Sequence, residues 1–275
     1  MKNFISLVIP LLNEQESIDE LYQQIKDVLN KELKEWQYEI IFINDGSTDK
    51  TLELLKSLHN KDSAVRIVSF RRNLGKAIAL NKGFEKTSGE IVITLDGDLQ
   101  DGPENIPAII DKLNEGFDLV VGWKKKRFDP ATKIIPSKAF NFFVRVFSNI
   151  SLHDFNSGLK AMKAEVAKEL YLYGELHRFI PVLAVQKGFK VAEIPVTRHP
   201  RKYGISKYGW GRLVKGFFDF LTVMFLGSFG QRPLHLFGFL GGISILVGVI
   251  FGIYLSILHF QGISIGNRPL LTLSV

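Results

Sequence analysis

With 275 residues, 46% of them hydrophobic and 23% charged, the chain has room for one or two domains with a sizeable core and is not a disordered, collagen-like or low-complexity polymer. It contains no cysteine, which removes disulfide scaffolds, Cys-ligated zinc, iron–sulfur clusters and thiol nucleophiles together. The net charge of +7 is concentrated, with +6 in residues 124–145 and +7 in residues 186–232, and such basic stretches ask for a polyanionic partner: nucleic acid, anionic lipid headgroups or a phosphorylated substrate.

From the N-terminus to about residue 122 the sequence reads as a run of βα units. Apolar, β-branched stretches at Ile5–Pro10, Tyr38–Ile43, Val65–Phe70, Ile91–Leu95 and Leu119–Gly122 alternate with segments of helical period. Asn13 with Glu16 makes an N-x-x-E variant of the capping box, Ser47 or Asp49 caps the second helix, and Pro103 suits a first helical turn. Alternation of this kind gives a parallel sheet covered on both faces, with ligands at the C-terminal strand ends.

Polar loops follow these strands in order: Pro10–Glu14, Asn44–Asp49, Arg71–Lys76 and Asp96–Asp101. No G-x-G-x-x-G or G-x-x-x-x-G-K-[ST] opens any helix, so the dinucleotide and P-loop readings lose their main support. Four such loops on one rim suggest instead a nucleotide site in which carboxylates take the base and ribose hydroxyls and a metal takes the diphosphate. Asp96-x-Asp98 alone is a weak signal, common in solvated loops. Its delivery by an apolar strand to a ligand edge makes it a candidate for Mg²⁺ or Mn²⁺ bridging two phosphates. Histidines are scattered and no H-E-x-x-H occurs, which speaks against zinc.

Two basic stretches come next. Lys124–Arg127 follows the fifth strand directly, and Arg198, Arg201, Ser206 and Lys207 precede the apolar C-terminal region. Most of these charges read as electrostatic anchors to anionic lipid, each contributing about 1 kcal/mol. A minority bind phosphate, and Lys124, Arg127, Arg201 and Lys207 are the expected ones. Glu175–Arg178 could reach the rim, but His177 reads equally well as a structural hydrogen-bonding residue and stays outside the expected catalytic set. The apolar stretch 210–229, with Arg212, Lys215 and Asp219 along it, reads either as an interfacial helix in the headgroup plane or as a helix docked on the catalytic domain.

Between Pro233 and Asn267 there is no Asp, Glu, Lys or Arg. The segment 234–258 exceeds the length of about 20 apolar residues that a membrane span needs; a buried core helix is the competing interpretation. Its Gly238–Gly242 is a GxxxG pattern, which permits close helix–helix approach. Arg-Pro-Leu recurs at Arg232–Leu234 and Arg268–Leu270, so a second span is expected to begin near residue 269 and to be cut short where the sequence stops. The linker Phe260–Asn267 lacks basic residues whereas the flank before residue 233 is rich in them, which puts the N-terminal domain in the cytoplasm by the positive-inside rule.

The ordered set PLLNE, NDGSTDKT, RNLGKAIALNKG, LDGDLQDGPE, DFNSGLKA and RKYGISKYGWGR resembles the family-2 glycosyltransferases of the GT-A fold. More narrowly it is similar to the polyprenyl-phosphate glycosyltransferases, dolichol-phosphate mannose synthase and the bacterial enzymes that glycosylate undecaprenyl phosphate. The resemblance spans residues 4 to about 260. One departure is Asn44, where many relatives carry a first Asp; Asp45 is kept. A Q-x-x-R-W motif is absent, which argues against the processive polysaccharide synthases.

The resemblance implies a Rossmann-like, mostly parallel α/β sheet and an enzyme. Pro10, Glu14 and Asp45 would hold the nucleoside, with Arg72 and Lys76 near it. Asp96, Asp98 and Gln100 would place the metal and diphosphate, and Asp154 would be the catalytic base or an orienting carboxylate. A phosphate monoester has its second pKa at about 6, so it needs little deprotonation and Asp154 orients more than it abstracts. The expected reaction is inverting transfer of a hexose from a UDP- or GDP-sugar to a polyprenyl phosphate; the alternative is a family-2 transferase with a protein or glycan acceptor. A nucleotide-sugar binder without catalysis and a nucleic-acid-binding protein are the rivals from other classes. Asp154 with Asp96-x-Asp98 argues against the first, and the membrane segment without a nucleic-acid motif argues against the second. The implied organisation is a cytoplasmic catalytic domain over residues 1–208, an amphipathic interfacial region over 209–231 and a membrane region over 232–275, in a multi-pass membrane protein that forms a homo-oligomer.

Overall fold

A computed structural model describes residues 3–125, 131–148, 150–200, 202–203, 218–225 and 233–262. The chain divides into two compact units, Met1–Met224 and Phe225–Val275.

The first unit is built on a seven-stranded sheet. Its strands are β1 (Phe4–Leu11), β2 (Gln37–Asn44), β3 (Val65–Ser69), β4 (Ile91–Thr94), β5 (Leu119–Lys124), β6 (Lys160–Lys163) and β7 (Val191–Val196), in the order β3-β2-β1-β4-β6-β5-β7. All neighbours are parallel except β6, which runs antiparallel to both β4 and β5. The helices are α1 (Ile18–Glu32), α2 (Thr51–Lys61), α3 (Lys76–Phe84), α4 (Ile106–Asn114), α5 (Ala131–Ser148), α6 (Ala164–Glu169), α7 (Ile180–Gln186) and α8 over 218–225.

The strands are nearly continuous apolar runs because helices cover both sheet faces. Ile5, Leu7 and Ile9 of β1 face the layer of α1, α2 and α4, while Val8 faces α3, α6 and α7. Helix α1 presents Ile18, Leu21, Ile25 and Leu29 at helical spacing, and α4 presents Ile106, Ile109, Ile110 and Leu113. The parallel strands β1, β2 and β4 therefore send the loops 12–17, 45–50 and 95–102 to the same edge.

One local expectation changes and two become more specific. Helix α1 begins at Ile18 after Ser17, so Asn13 and Glu16 form no capping box. Asn13 takes a left-handed conformation (φ 53°) and ties two loops: its Oδ1 accepts the Thr48 N–H at 2.8 Å, and its own N–H donates to Ser47 Oγ at 2.9 Å. That leaves Asp49 for the start of α2, where its Oδ1 accepts the Thr51 N–H at 3.0 Å. Pro103 opens a 3₁₀ turn that leads into α4.

Helix α8 falls inside the expected interfacial region. Phe220 and Val223 are buried while Phe218 and Leu221 are exposed. Phe220 lies 6.1 Å from the Phe179 ring, and Gln186 Nε2 donates to the Val223 carbonyl at 3.3 Å, so the inner face of α8 docks on the body of the first unit.

The second unit contains α9 (Pro233–Phe260), 28 residues and, at 1.5 Å rise, roughly 42 Å long. Its segment Phe237–Phe260 has a mean hydropathy of 2.3 with 6% of the apolar window buried, where a soluble core helix would be largely enclosed. It is the one helix among the described residues long and apolar enough to cross a membrane. The second expected span lies outside the described residues.

Candidate active site

The loops that follow β1, β2 and β3 are pinned to one another. Asp45 is buried, and its carboxylate accepts the N–H of Leu74 at 2.7 Å and of Gly75 at 3.0 Å. Burial raises its pKa despite those two donors. The adjacent Gly46 (φ +70°) crosses so closely that a Cβ would lie 2.2 Å from the Arg72 carbonyl carbon, so the loop needs glycine there. Arg72 contributes this backbone platform, and its side chain is exposed. Pro10 lies in β1 opposite Ile43, and the Glu14 N–H donates to Thr51 Oγ1 at 2.9 Å. An open cleft of about 170 Å³ runs along these loops, lined by Asn13, Glu14, Gln15, Glu16, Asp49 and Tyr203.

The charged centre lies where β4, β5 and β6 meet. Lys76, the first residue of α3, places Nζ 2.5 Å from Asp96 Oδ1. Burial alone would raise the Asp96 pKa, but Lys76, then Lys124 and Lys160, outweigh it and hold the carboxylate ionised. Lys124 at the end of β5 lies 3.3 Å from Asp101 Oδ1, and Asp101 with Asp154 overcomes burial to raise its pKa. Gly158 sits at the hub. Its N–H donates to Asp101 Oδ2 at 3.1 Å, its carbonyl accepts from Thr94 Oγ1 at 2.8 Å, and a Cβ would lie 2.4 Å from Asp96 Cγ.

Asp154 is buried, and its Oδ1 accepts the Asn156 N–H at 3.1 Å. The residue before it is clamped. Glu193 of β7 accepts the His153 N–H at 2.7 Å and pairs with the ring Nδ1, while the ring stacks on Trp123 at 4.2 Å.

Asp96 and Asp98 fit a divalent cation that shares its coordination with a substrate diphosphate, because Mg²⁺ and Mn²⁺ of that kind take one or two protein carboxylates. Among the described residues no three His, Asp or Glu side chains form an all-protein cage. Asp98 Oδ1 accepts the Gln100 N–H at 3.1 Å. Gln100, an expected metal ligand, has its Oε1 accepting from Arg198 Nη2 at 2.7 Å.

The structure thus gathers Lys76, Asp96, Lys124 and Asp154 into one electrostatic cluster; Arg127, Arg201 and Lys207 lie outside the described residues. Sequence reasoning gives no role to Asp101 and Lys160, places Arg198 only among the basic stretch read as lipid anchors, and sets His177 aside. Asp101 belongs to the Asp96–Asp101 loop, and only the fold reveals that it faces Gly158. Lys160 heads a four-residue strand with lysine at both ends, which carries no sign of burial. His177 is buried, and burial, then Lys76 and Arg178, hold its pKa well below the usual 6.5.

The sequence profile of glycosyl transferase family 2 matches residues 6–171. A dodecaprenyl-phosphate galacturonate synthase from Rhizobium johnstonii is 37% identical over 278 residues, covering 98% of this chain and 81% of the relative. An undecaprenyl-phosphate 4-deoxy-4-formamido-L-arabinose transferase from Pseudomonas aeruginosa is 35% identical over 258 residues, covering 94% of this chain and 74% of the relative. In fold, the chain is similar to glucosyl-3-phosphoglycerate synthase from Mycobacterium tuberculosis, solved with Mn²⁺, UDP and glucosyl-3-phosphoglycerate. The TM-score is 0.63 at 21% identity, covering 82% of this chain and 80% of that one. The loops at the strand ends, the profile and these relatives agree: the chain belongs to glycosyl transferase family 2 and is a glycosyltransferase of the GT-A fold.

Proposed function

We propose that the protein moves a hexose from a nucleoside-diphosphate sugar to a polyprenyl phosphate, with inversion at the anomeric carbon. The observation that carries this reading is the cluster itself: the half-buried Asp96 and Lys76 share one electrostatic field with Asp154 and Lys124, in a chain whose named relatives act on polyprenyl phosphates.

A phosphate oxygen of the acceptor attacks the anomeric carbon. The bond from that carbon to the diphosphate oxygen breaks, and its electron pair leaves on the nucleoside diphosphate. The acceptor phosphate is largely deprotonated near neutrality, with its second pKa at about 6, so no strong base is required. Asp154 orients the attacking group, while Lys76 and Lys124 offset the repulsion between two phosphorylated partners. Asp96 and Asp98 would hold a divalent cation, which would supply Lewis-acid neutralisation of the diphosphate. Asp45, Glu14 and Pro10 hold the nucleoside, and Arg127, Arg201 and Lys207 add acceptor-phosphate contacts. Helix α9 and a second span after it keep the enzyme at the membrane, with the catalytic unit on the cytoplasmic side.

The test is to incubate membranes containing the protein with polyprenyl phosphate and a panel of UDP- and GDP-hexoses, then to seek a glycolipid by mass. One donor should give a polyprenyl-phosphate hexose. Transfer to protein or glycan with none to lipid would overturn the reading.

A further inference from the structure

Lys160 is a buried cation that the mechanism above leaves unused. It opens β6 at 4% exposure, opposite Thr94 of β4 and Val121 of β5. Its ammonium has three N–H donors, and the contact described for it is to the Ser157 carbonyl. Lys76 and Lys124 pair with Asp96 and Asp101, whereas among the described residues no carboxylate forms an ion pair with Lys160. Beside it, among the described residues, the buried Ser157 hydroxyl has no hydrogen-bond partner, and neither does the buried Nδ1 of His177, whose electrostatic neighbours include Lys160, Lys76 and Asp96.

Asp96 and Asp154 attract this buried ammonium, but the hydrogen bond described for it goes to a neutral acceptor, a poor arrangement for stability. An apolar chain of the same length should cost the fold little stability there. Burial first, and then the repulsion of Lys76, outweighs the attraction of Asp96 and Asp154 and pulls its pKa down to about 7. Such unspent polar capacity at the centre of a site is the pattern of groups arranged for a ligand rather than for the fold.

We propose that Lys160 and the Ser157 hydroxyl form the oxyanion-binding floor of the active site, donating to a phosphate oxygen of a reacting substrate. An ammonium has donors only, so its complement is an anion with several acceptor oxygens, which a phosphate provides. Two phosphates meet in this site, the donor's diphosphate and the acceptor's monoester, and they offer the floor the same chemistry. The assignment rests on the glycosyl-transfer reading and deepens it.

The test uses the full chain in detergent, with Lys160→Met, Lys160→Arg and Ser157→Ala. Thermal midpoints are read alongside the affinities for UMP, UDP, GMP, GDP and a short polyprenyl phosphate. Lys160→Met should melt near the wild-type temperature yet bind one phosphate class roughly 10- to 100-fold more weakly. Lys160→Arg should recover most of that loss, and Ser157→Ala should show a smaller loss in the same class. Weakened diphosphate binding with monophosphate binding intact assigns the floor to the donor; weakened lipid phosphate binding assigns it to the acceptor. A Lys160→Met protein that binds every probe as wild type does, or that loses binding only as it loses stability, overturns the proposal. A wild-type protein that binds nucleotides and lipid phosphate but transfers no sugar would overturn the transfer reading, and the Lys160 comparison would stand apart from it.

Discussion

Lys76 Nζ and Asp96 Oδ1 lie 2.5 Å apart, joining the first residue of α3 to the loop that follows β4. The pair has a consequence for turnover. With Lys76 gone, the Asp96 carboxylate loses its nearest cation, and the site loses positive charge where the leaving diphosphate gains negative charge. Lys76→Met should lower kcat by roughly 10²-fold while the protein stays folded, by analogy with the removal of one preorganised charge-stabilising donor. Steady-state kinetics with circular dichroism would check it, and wild-type kcat in the variant would contradict it.

Gly158 is constrained by contact rather than by conformation. A Cβ there would meet Asp96 Cγ at 2.4 Å and Asp101 Oδ2 at 2.6 Å, so Asp96, Asp101 or the backbone leading into β6 must move. Gly158→Ala should cost about 1–3 kcal/mol of stability as an overpacked site and should remove most of the activity. Denaturant melts and a transfer assay measure the two effects; a fully active, equally stable variant would be inconsistent with this geometry.

Glu193 holds Asp154 at one remove, through the backbone and ring of His153. Glu193→Ala should lower kcat by about 10-fold with little change in KM for the nucleotide sugar, because misplacement of a positioning group acts on the reacting geometry. Glu193→Gln keeps an acceptor oxygen for the His153 N–H and should restore most of the rate. Equal losses in the two variants would refute a positioning role.

His177 sets an acid limit on stability. Burial, then Lys76 and Arg178, keep its pKa well below 6.5 in the folded chain, so the unfolded chain binds more protons once the pH falls below that value. Stability from this group is therefore present above about pH 6.5 and declines as the pH drops through the window beneath it. His177→Asn cannot titrate, so its thermal midpoint should fall less than the wild type's between about pH 7.5 and about pH 5.5. Parallel declines in the two proteins would show that His177 is not the source.

Much of this arrangement is legible in the sequence, for reasons specific to particular elements. Strands such as β1 and β4 stand out because two-sided burial demands unbroken apolar runs, and parallel strands deliver the segments after them to one edge. Asp96 and Asp154 are found that way or through the motifs that carry the resemblance. Strand β6 escapes notice because it is four residues long, is framed by lysines and enters antiparallel between β4 and β5. Strand β7 carries Pro195, which an edge position tolerates and a propensity reading penalises. The same insertion buries Lys160 and brings Gly158 against Asp96, long-range placements that no local pattern encodes. Asn13 misleads for a related reason: its side chain looks like a helix cap but is used between loops.

The most direct measurement is glycolipid formation by wild type, Asp96→Asn and Asp154→Asn, with polyprenyl phosphate and the donor that supports turnover. Wild type should yield a polyprenyl-phosphate hexose. Both variants should fold normally and yield at most about a hundredth as much, given the size of electrostatic contributions at such sites. Wild-type yield from either folded variant would contradict the assignment of the chemistry to this cluster.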